Sequence, residues 1–394
     1  MLRFDVDFYD DNHKERLKNN CERYGDIQQL VQQGFEVAKE ELFSYCMFVY
    51  QQRGVRAWET YGDLRDQLPK YRAVWEDHFS FSKGTVFSKF SAHKAVKHFT
   101  ETMGVGGALS IVSQIYELTE ADWEKVETGR RKTLDFSIAS TGTHFVEVEA
   151  KGSIVSDHQK SHLWGQKDHI EKKKLTQRQQ GNNNTMIGVI TAIPCDSSLG
   201  AKCYMLDPPP TEIPFDPVKY KLLSRLYFYW RELSLVSRAH FLEVLINRIK
   251  SIQRSHDYES LDGLPLLNSR GEPHQVPDSL FETRSSVYGR SAFGEVLPLG
   301  DDRFFFYGFD KDAVEALIRQ DFSQLNALSF KSRTESDTRV SAKIPRRLVG
   351  GPRTEVKHDE DSEEDESRKT LSMIGDLVHT SSGRVLGCVK PVSR

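Results

Sequence analysis

Cysteine is scarce and scattered. Five residues (Cys21, Cys46, Cys195, Cys203, Cys388) are spread over 394 positions with no CxxC pair. That argues against a disulfide framework and a structural zinc site, and suits a reducing cytoplasm. No apolar run is long enough to cross a bilayer. The opening Met-Leu-Arg-Phe-Asp-Val-Asp lacks the apolar core of a secretory signal. There is little net charge, −3, so no global basic field draws in nucleic acid, and such a partner needs basic residues concentrated locally. P-loop, Rossmann and GxSxG signatures are also missing, which removes the commoner enzyme classes. What remains, 38% hydrophobic and 28% charged, has the polar-leaning balance of a globular chain, long enough for two or three domains.

One stretch combines groups suited to phosphodiester chemistry. Asp135-Phe-Ser-Ile-Ala-Ser-Thr-Gly-Thr-His-Phe-Val-Glu-Val-Glu-Ala-Lys151 reads as two short strands joined by a Ser/Thr/Gly turn. Alternation along a strand sends Val146, Val148 and Ala150 one way and Glu147, Glu149 and Lys151 the other. One face can be buried while the opposite face aligns carboxylates and an amine. Two carboxylates can hold a hard divalent cation such as Mg²⁺. An adjacent lysine can orient or help deprotonate the water on it. The plain alternative is an amphipathic hairpin with a solvated charged face.

This arrangement resembles the PD-(D/E)xK nuclease superfamily, which includes restriction endonucleases and many repair and phage-defence nucleases. The matching residues are Asp135 and the triplet Glu149-Ala150-Lys151; Leu134 stands where the pattern has proline. The resemblance covers about Phe90 to Asp207. It implies an α/β fold with a restriction endonuclease-like core, a mixed central sheet flanked by helices, carrying helical N-terminal and C-terminal additions. It also implies Mg²⁺ or Mn²⁺ held by Asp135, Glu149 and the backbone carbonyl of Ala150, with Lys151 positioning the attacking water or stabilising the pentavalent transition state. In that superfamily a third acid often comes from the helix before the hairpin. Glu101 is the candidate by position and Glu117 the alternative, while Glu147 either shares the metal or sits beside it.

The segment after the motif, Asp157 to Gln179, reads as a helix dense in His and Lys. His158 and His162 are four apart, and Gln166 and His169 continue roughly the same face. The resemblance implies that this helix flanks the active site, with His162 and Gln166 as candidates aimed at the scissile phosphate. Lys172, Lys173, Lys174 and Arg178 offer phosphate contacts. The plain alternative for each is an exposed helix surface.

Five segments follow from pattern and composition. Residues 1–89 read as a helical N-terminal region, with helices over Asp26–Arg53 and Trp58–Trp75. Residues 90–207 form the nuclease-like core: a helix over Ser91–Thr102, a break at Gly104–Gly107, an ambiguous apolar run to Leu118, the hairpin and its helix, then strands at Met186–Ile193 and Cys203–Leu206. Residues 208–330 read as α-rich, with helices over Val218–Ser255 and Asp310–Gln320 and a short strand at Arg303–Tyr307. Residues 331–370 read as a low-complexity acidic and basic linker, and 371–394 as a C-terminal segment that re-enters structure.

The function expected is a metal-dependent endonuclease acting on DNA, in phage defence or restriction, working in the cytoplasm without a membrane. A homodimer or a partner subunit is expected because two strands need two sites. A reading from a different class is a non-catalytic nucleic-acid-binding or scaffold subunit of a defence complex with a nuclease-like fold. A third is an unrelated α/β protein in which the motif is accidental.

Overall fold

The computed structural model describes residues 1–47, 70, 72–92, 94–124, 136–179, 185–196, 198–207, 216–300, 303–345 and 368–392. Within them, the side chains of 136–138, 173–179, 185, 300, 345 and 368–369 lie outside the description. The fold is mixed α/β, in two units, residues 1–224 and 225–394. No helix among the described residues is long and apolar enough to cross a membrane.

The first unit contains strands β1 (Leu2–Phe8), β2 (Phe35–Val37), β3 (Phe79–Ser82), β4 (Thr85–Ser88), β5 (Trp123–Glu124), β6 (Phe136–Ser140), β7 (Phe145–Val155), β8 (Thr185–Pro194) and β9 (Lys202–Leu206). Apart from the β3–β4 hairpin, they form one mixed sheet in the order β2-β1-β9-β8-β7-β6-β5. The expected hairpin is β6–β7, antiparallel with Ala139 opposite Val146. The apolar run Met186–Ile193 lies in β8, flanked by parallel β7 and antiparallel β9 and buried on both faces.

The N-terminal region is not purely helical. The first residues form β1, paired parallel with β9 in the motif's own sheet. The helix expected over Asp26–Arg53 is divided. It ends at Gly34, whose φ of 73° a side-chain-bearing residue resists, and Phe35–Val37 then pairs with β1. The pieces are α2 (Tyr24–Gln33) and α3 (Lys39–Met47), preceded by a separate helix α1 (Asp11–Asn20). Most of the helix expected at Trp58–Trp75 lies outside the described residues.

The break expected at Gly104–Gly107 does not exist. All four residues lie inside α4 (Lys97–Tyr116), fully buried from Thr102 to Ser113. A helical glycine costs about 1 kcal/mol against alanine, and here close packing on the sheet offsets it. A methyl group on Gly104 would overlap the backbone of Gly152, and one on Gly107 would stand 2.6 Å from the Thr191 hydroxyl. That hydroxyl donates a hydrogen bond to the Gly104 carbonyl at 3.2 Å. The helix expected after the hairpin forms as a 3-10 turn, Lys160–Leu163, and α5 (Trp164–Gln179).

The unit boundary falls within α6 (Pro217–Leu233). In the second unit, α7 (Ala239–Arg254) buries Phe241, Leu245, Ile249 and Ile252, the expected stripe. Helices α8 (Lys311–Arg319) and α9 (Phe322–Ala327) follow. Six strands, β10 (Ser285–Val287), β11 (Ala292–Gly300), β12 (Arg303–Asp310), β13 (Arg333–Pro345), β14 (Arg368–His379) and β15 (Arg384–Pro391), close into an antiparallel barrel in the order β10-β11-β12-β15-β14-β13. Residues 208–330 therefore carry strands as well as helices, and the linker expected from 331 does not hold over Arg333–Pro345. The charged surface of β13 hides a period-two pattern: Val340, Ala342 and Ile344 point into the barrel core beside Phe306 and Met373. The acidic block 359–366 lies outside the described residues.

Candidate active site

The motif's triplet lies mid-sheet on β7, and the two neighbouring helices cover opposite faces of it. Gly152 lies against Gly104 of α4, so the side carrying Val148, Ala150 and Gly152 is the α4 side. Glu149 pairs in register with Gly188 of β8. A methyl on Gly188 would stand 2.9 Å from Ile170 of α5, so the side carrying Glu147, Glu149 and Lys151 is the α5 side. Leu163 and Ile170 pack there against Ile190, Ala192 and Leu206.

The alternation expected along β7 is present, but the acid face is not solvated. Glu149 is 0% exposed and Glu147 5%. A carboxylate removed from water needs a partner. Lys151 supplies one, its Nζ 2.7 Å from Glu149 Oε1, the length of a charge-assisted hydrogen bond. The lysine side chain keeps 20% of its surface exposed, so the pair sits at a margin between core and solvent.

Gln166, on the first turn of α5, donates from Nε2 to the Ser153 hydroxyl at 3.3 Å. Ser153 follows Lys151 by two residues on the same face of β7, so Gln166 is tied to the strand that bears the pair. Ser153 is not among the residues that the sequence singled out; only continuing the period of two past Lys151 points to it. His162 is half-exposed, with Nδ1 3.0 Å from Asp157 Oδ1. His158 instead contacts the Gly200 carbonyl through Nε2 at 2.8 Å. Lys172 is exposed and lies 2.7 Å from Asp168. Lys173, Lys174 and Arg178 belong to α5, but their side chains lie outside the description.

Asp135 lies outside the described residues. Ala150 is buried in the ladder opposite Val189. Glu101 is exposed on α4, its carboxylate 3.6 Å from Lys97. Glu117, at the C-cap of α4 with φ 54°, is exposed and 3.6 Å from Arg23. Neither acid has the burial of Glu149.

Four further acids among the described residues of this unit are buried: Glu41, Glu120, Asp122 and Asp207. Asp122 closes a capping box, its Oδ2 accepting the Thr119 backbone N–H at 2.8 Å. Thr119-Glu-Ala-Asp122 is its signature in the sequence. Nearby, Ser113 Oγ accepts from the Tyr45 hydroxyl at 2.9 Å and from Trp123 Nε1 at 2.8 Å. Burial, with Glu41 next, pushes the Tyr45 hydroxyl well above its ordinary range.

Among the described residues no three His, Cys, Asp or Glu side chains gather into a metal-binding group. Glu149 offers a hard oxygen donor of the kind Mg²⁺ and Mn²⁺ prefer. Comparison with protein-family models, with curated proteins and with solved structures finds no match.

Proposed function

We propose that this chain is a metal-dependent endonuclease that hydrolyses phosphodiester bonds of DNA, built on a restriction endonuclease-like core. The observation that carries this reading is the Glu149–Lys151 pair on β7, with the Glu149 carboxylate fully buried. The elements around it support it: helix α4, the antiparallel run β5–β6–β7, helix α5, then β8 parallel to β7. Helix, hairpin, helix and central strand is the order of the superfamily that the motif resembles.

In this reading Asp135, Glu149 and the Ala150 carbonyl would hold Mg²⁺ or Mn²⁺. Such a cation, when bound, neutralises phosphoryl charge and makes a coordinated water more acidic. Lys151 stays within reach of Glu149 and donates a hydrogen bond to the attacking water or to a non-bridging phosphoryl oxygen. Gln166, held on Ser153, and His162 orient the scissile phosphate. Lys172, Lys173, Lys174 and Arg178 contact backbone phosphates. The protein acts in the cytoplasm, in restriction or phage defence, as a homodimer or with a partner subunit.

The test is Mg²⁺- or Mn²⁺-dependent cleavage of plasmid DNA by the full chain, with RNA in parallel. Asp135→Asn and Glu149→Gln must abolish cutting. One observation favours a second reading. The complete burial of Glu149 suits a non-catalytic nucleic-acid-binding or scaffold subunit in which the pair is structural. That protein would bind DNA, and neither Mg²⁺ nor Mn²⁺ would elicit cutting.

A further inference from the structure

The second unit holds a cleft of about 260 Å³ lined by His274, Val276, Arg290, Phe293, Lys311, Glu315, Ile318 and Arg319. Its wall is one face of α8, Lys311, Glu315, Ile318 and Arg319, at the spacing that stacks side chains on a helix. Opposite are the first residues of β11 and the turn before them. Three cationic side chains meet one carboxylate.

Glu315 is shared between Arg319 at 3.1 Å and Lys311 at 3.6 Å. Both basic side chains are largely exposed, so these ion pairs hold weakly and can be exchanged for a stronger anion. Arg290 makes no ion pair among the described residues. Its backbone adopts the left-handed conformation, φ 57°, directly after Gly289 at φ 72°. A non-glycine residue takes that conformation at a cost, and such residues gather at binding sites.

The floor supplies a second, independent sign. His274 is 94% buried (6% exposed), yet neither ring nitrogen makes a hydrogen bond of acceptable geometry. The Leu267 carbonyl is close enough to favour protonation but does not satisfy the ring. Phe241 packs against it edge-on with centroids 5.0 Å apart. Burial, with His240 nearby, holds His274 below its ordinary value, so at neutral pH the ring is uncharged, with one nitrogen as donor. A buried polar group without a partner is costly, and a phosphate oxygen beside the ring would favour its doubly protonated form, which donates from both nitrogens.

We infer that this cleft binds the phosphate group of a small phosphorylated ligand, with Arg290, Lys311 and Arg319 as the cationic contacts and His274 as the donor from below. The excess of positive over negative lining groups matches a phosphate monoester, close to a dianion at neutral pH, better than a single carboxylate. Guanidinium groups bind phosphate through paired N–H donors. The apolar patch of Phe293, Val276 and Ile318 suits an organic body attached to the phosphate. The inference rests on residues of the second unit and is independent of the nuclease reading.

The experiment is a thermal-shift and calorimetric titration of the full chain with inorganic phosphate, adenosine monophosphate, adenosine and acetate. Phosphate and adenosine monophosphate should raise the melting temperature at millimolar concentration, while adenosine and acetate leave it unchanged. Arg290→Asn, chosen because asparagine tolerates a left-handed backbone, and Arg319→Gln should each weaken binding about tenfold or more. Glu315→Gln should tighten it, because the competing carboxylate is gone, an effect that a merely structural role would not produce. Tighter binding of adenosine monophosphate than of phosphate locates the organic body in the cleft; equal binding overturns the small-ligand part of the inference. Absence of any phosphate-dependent shift, equal shifts in parent and Arg290→Asn, or an equal response to acetate overturns the site itself.

Discussion

Gly104 of α4 and Gly152 of β7 stand back to back: a methyl group on Gly104 would overlap the Gly152 backbone, and one on Gly152 would overlap the Thr100 carbonyl of α4 and stand 3.1 Å from the Gly104 Cα. This contact places α4 directly on the strand that carries Glu149 and Lys151, one residue from the lysine. Gly152→Ala should destabilise the first unit by about 1–3 kcal/mol, the range for overfilling a packed core. Gly165 lies in α5 with open space around it, and Gly165→Ala should instead stabilise by up to about 1 kcal/mol. Chemical denaturation of both variants checks this; equal effects would mean that the seam is not closely packed.

The Glu149–Lys151 pair predicts a separation of stability from activity. Lys151→Ala removes the ammonium 2.7 Å from a fully buried carboxylate and should cost about 3–5 kcal/mol. The double change Glu149→Gln with Lys151→Gln removes both charges and should recover much of that loss. Neither protein should cut DNA. Melting curves paired with the plasmid assay read both properties. Cleavage at the parental rate by the refolded double variant would refute the site assignment.

Glu295 makes the second unit sensitive to pH. Its carboxylate accepts the backbone N–H groups of Glu282 at 2.8 Å and Thr283 at 2.9 Å. Burial nevertheless pushes its pKa from 4.5 up to about 7. The folded chain then holds this proton more tightly than the unfolded chain, so the group's contribution is fully present below 4.5 and is lost as pH rises through about 7. The stability difference between parent and Glu295→Gln should shift against the parent by about 3 kcal/mol across that window. A difference that stays constant with pH contradicts the shift.

Tyr307 of β12 donates to Glu232 Oε2 at 2.5 Å, and Arg384 of β15 reaches the same oxygen at 3.2 Å. Glu232 is 1% exposed. Tyr307→Phe keeps the ring and deletes the donor, and should cost about 1–3 kcal/mol. Arg384→Met removes the nearer of two arginines paired with a buried carboxylate, Arg231 being the other at 3.7 Å, and should cost more. Urea titrations order the two; the reverse order would make the tyrosine the main support of Glu232.

The sequence by itself determined the local periods. Alternation from Phe145 to Lys151 set the hairpin strand and put Glu149 and Lys151 on one side of it. The unbroken apolar run from Met186 marked the central strand, and Phe241, Leu245, Ile249 and Ile252 marked a helix. These rest on contacts between near neighbours, which a one-dimensional pattern records. Only the tertiary structure decided what covers each face. The glycines at 104–107 read as a break because helix propensity is local, whereas their use is a backbone contact with Gly152 and Thr191, far along the chain. The first strand escaped notice because Leu2, Phe4 and Val6 gain a ladder only from β9, some two hundred residues away. The strand Arg333–Pro345 looked like a charged linker because its buried half is three small or branched residues, and a barrel needs only every second side chain inside. The plain alternative for the acid face of β7 left it in solvent, whereas α5 covers it, because alternation assigns side chains to a face but does not say which element packs on that face.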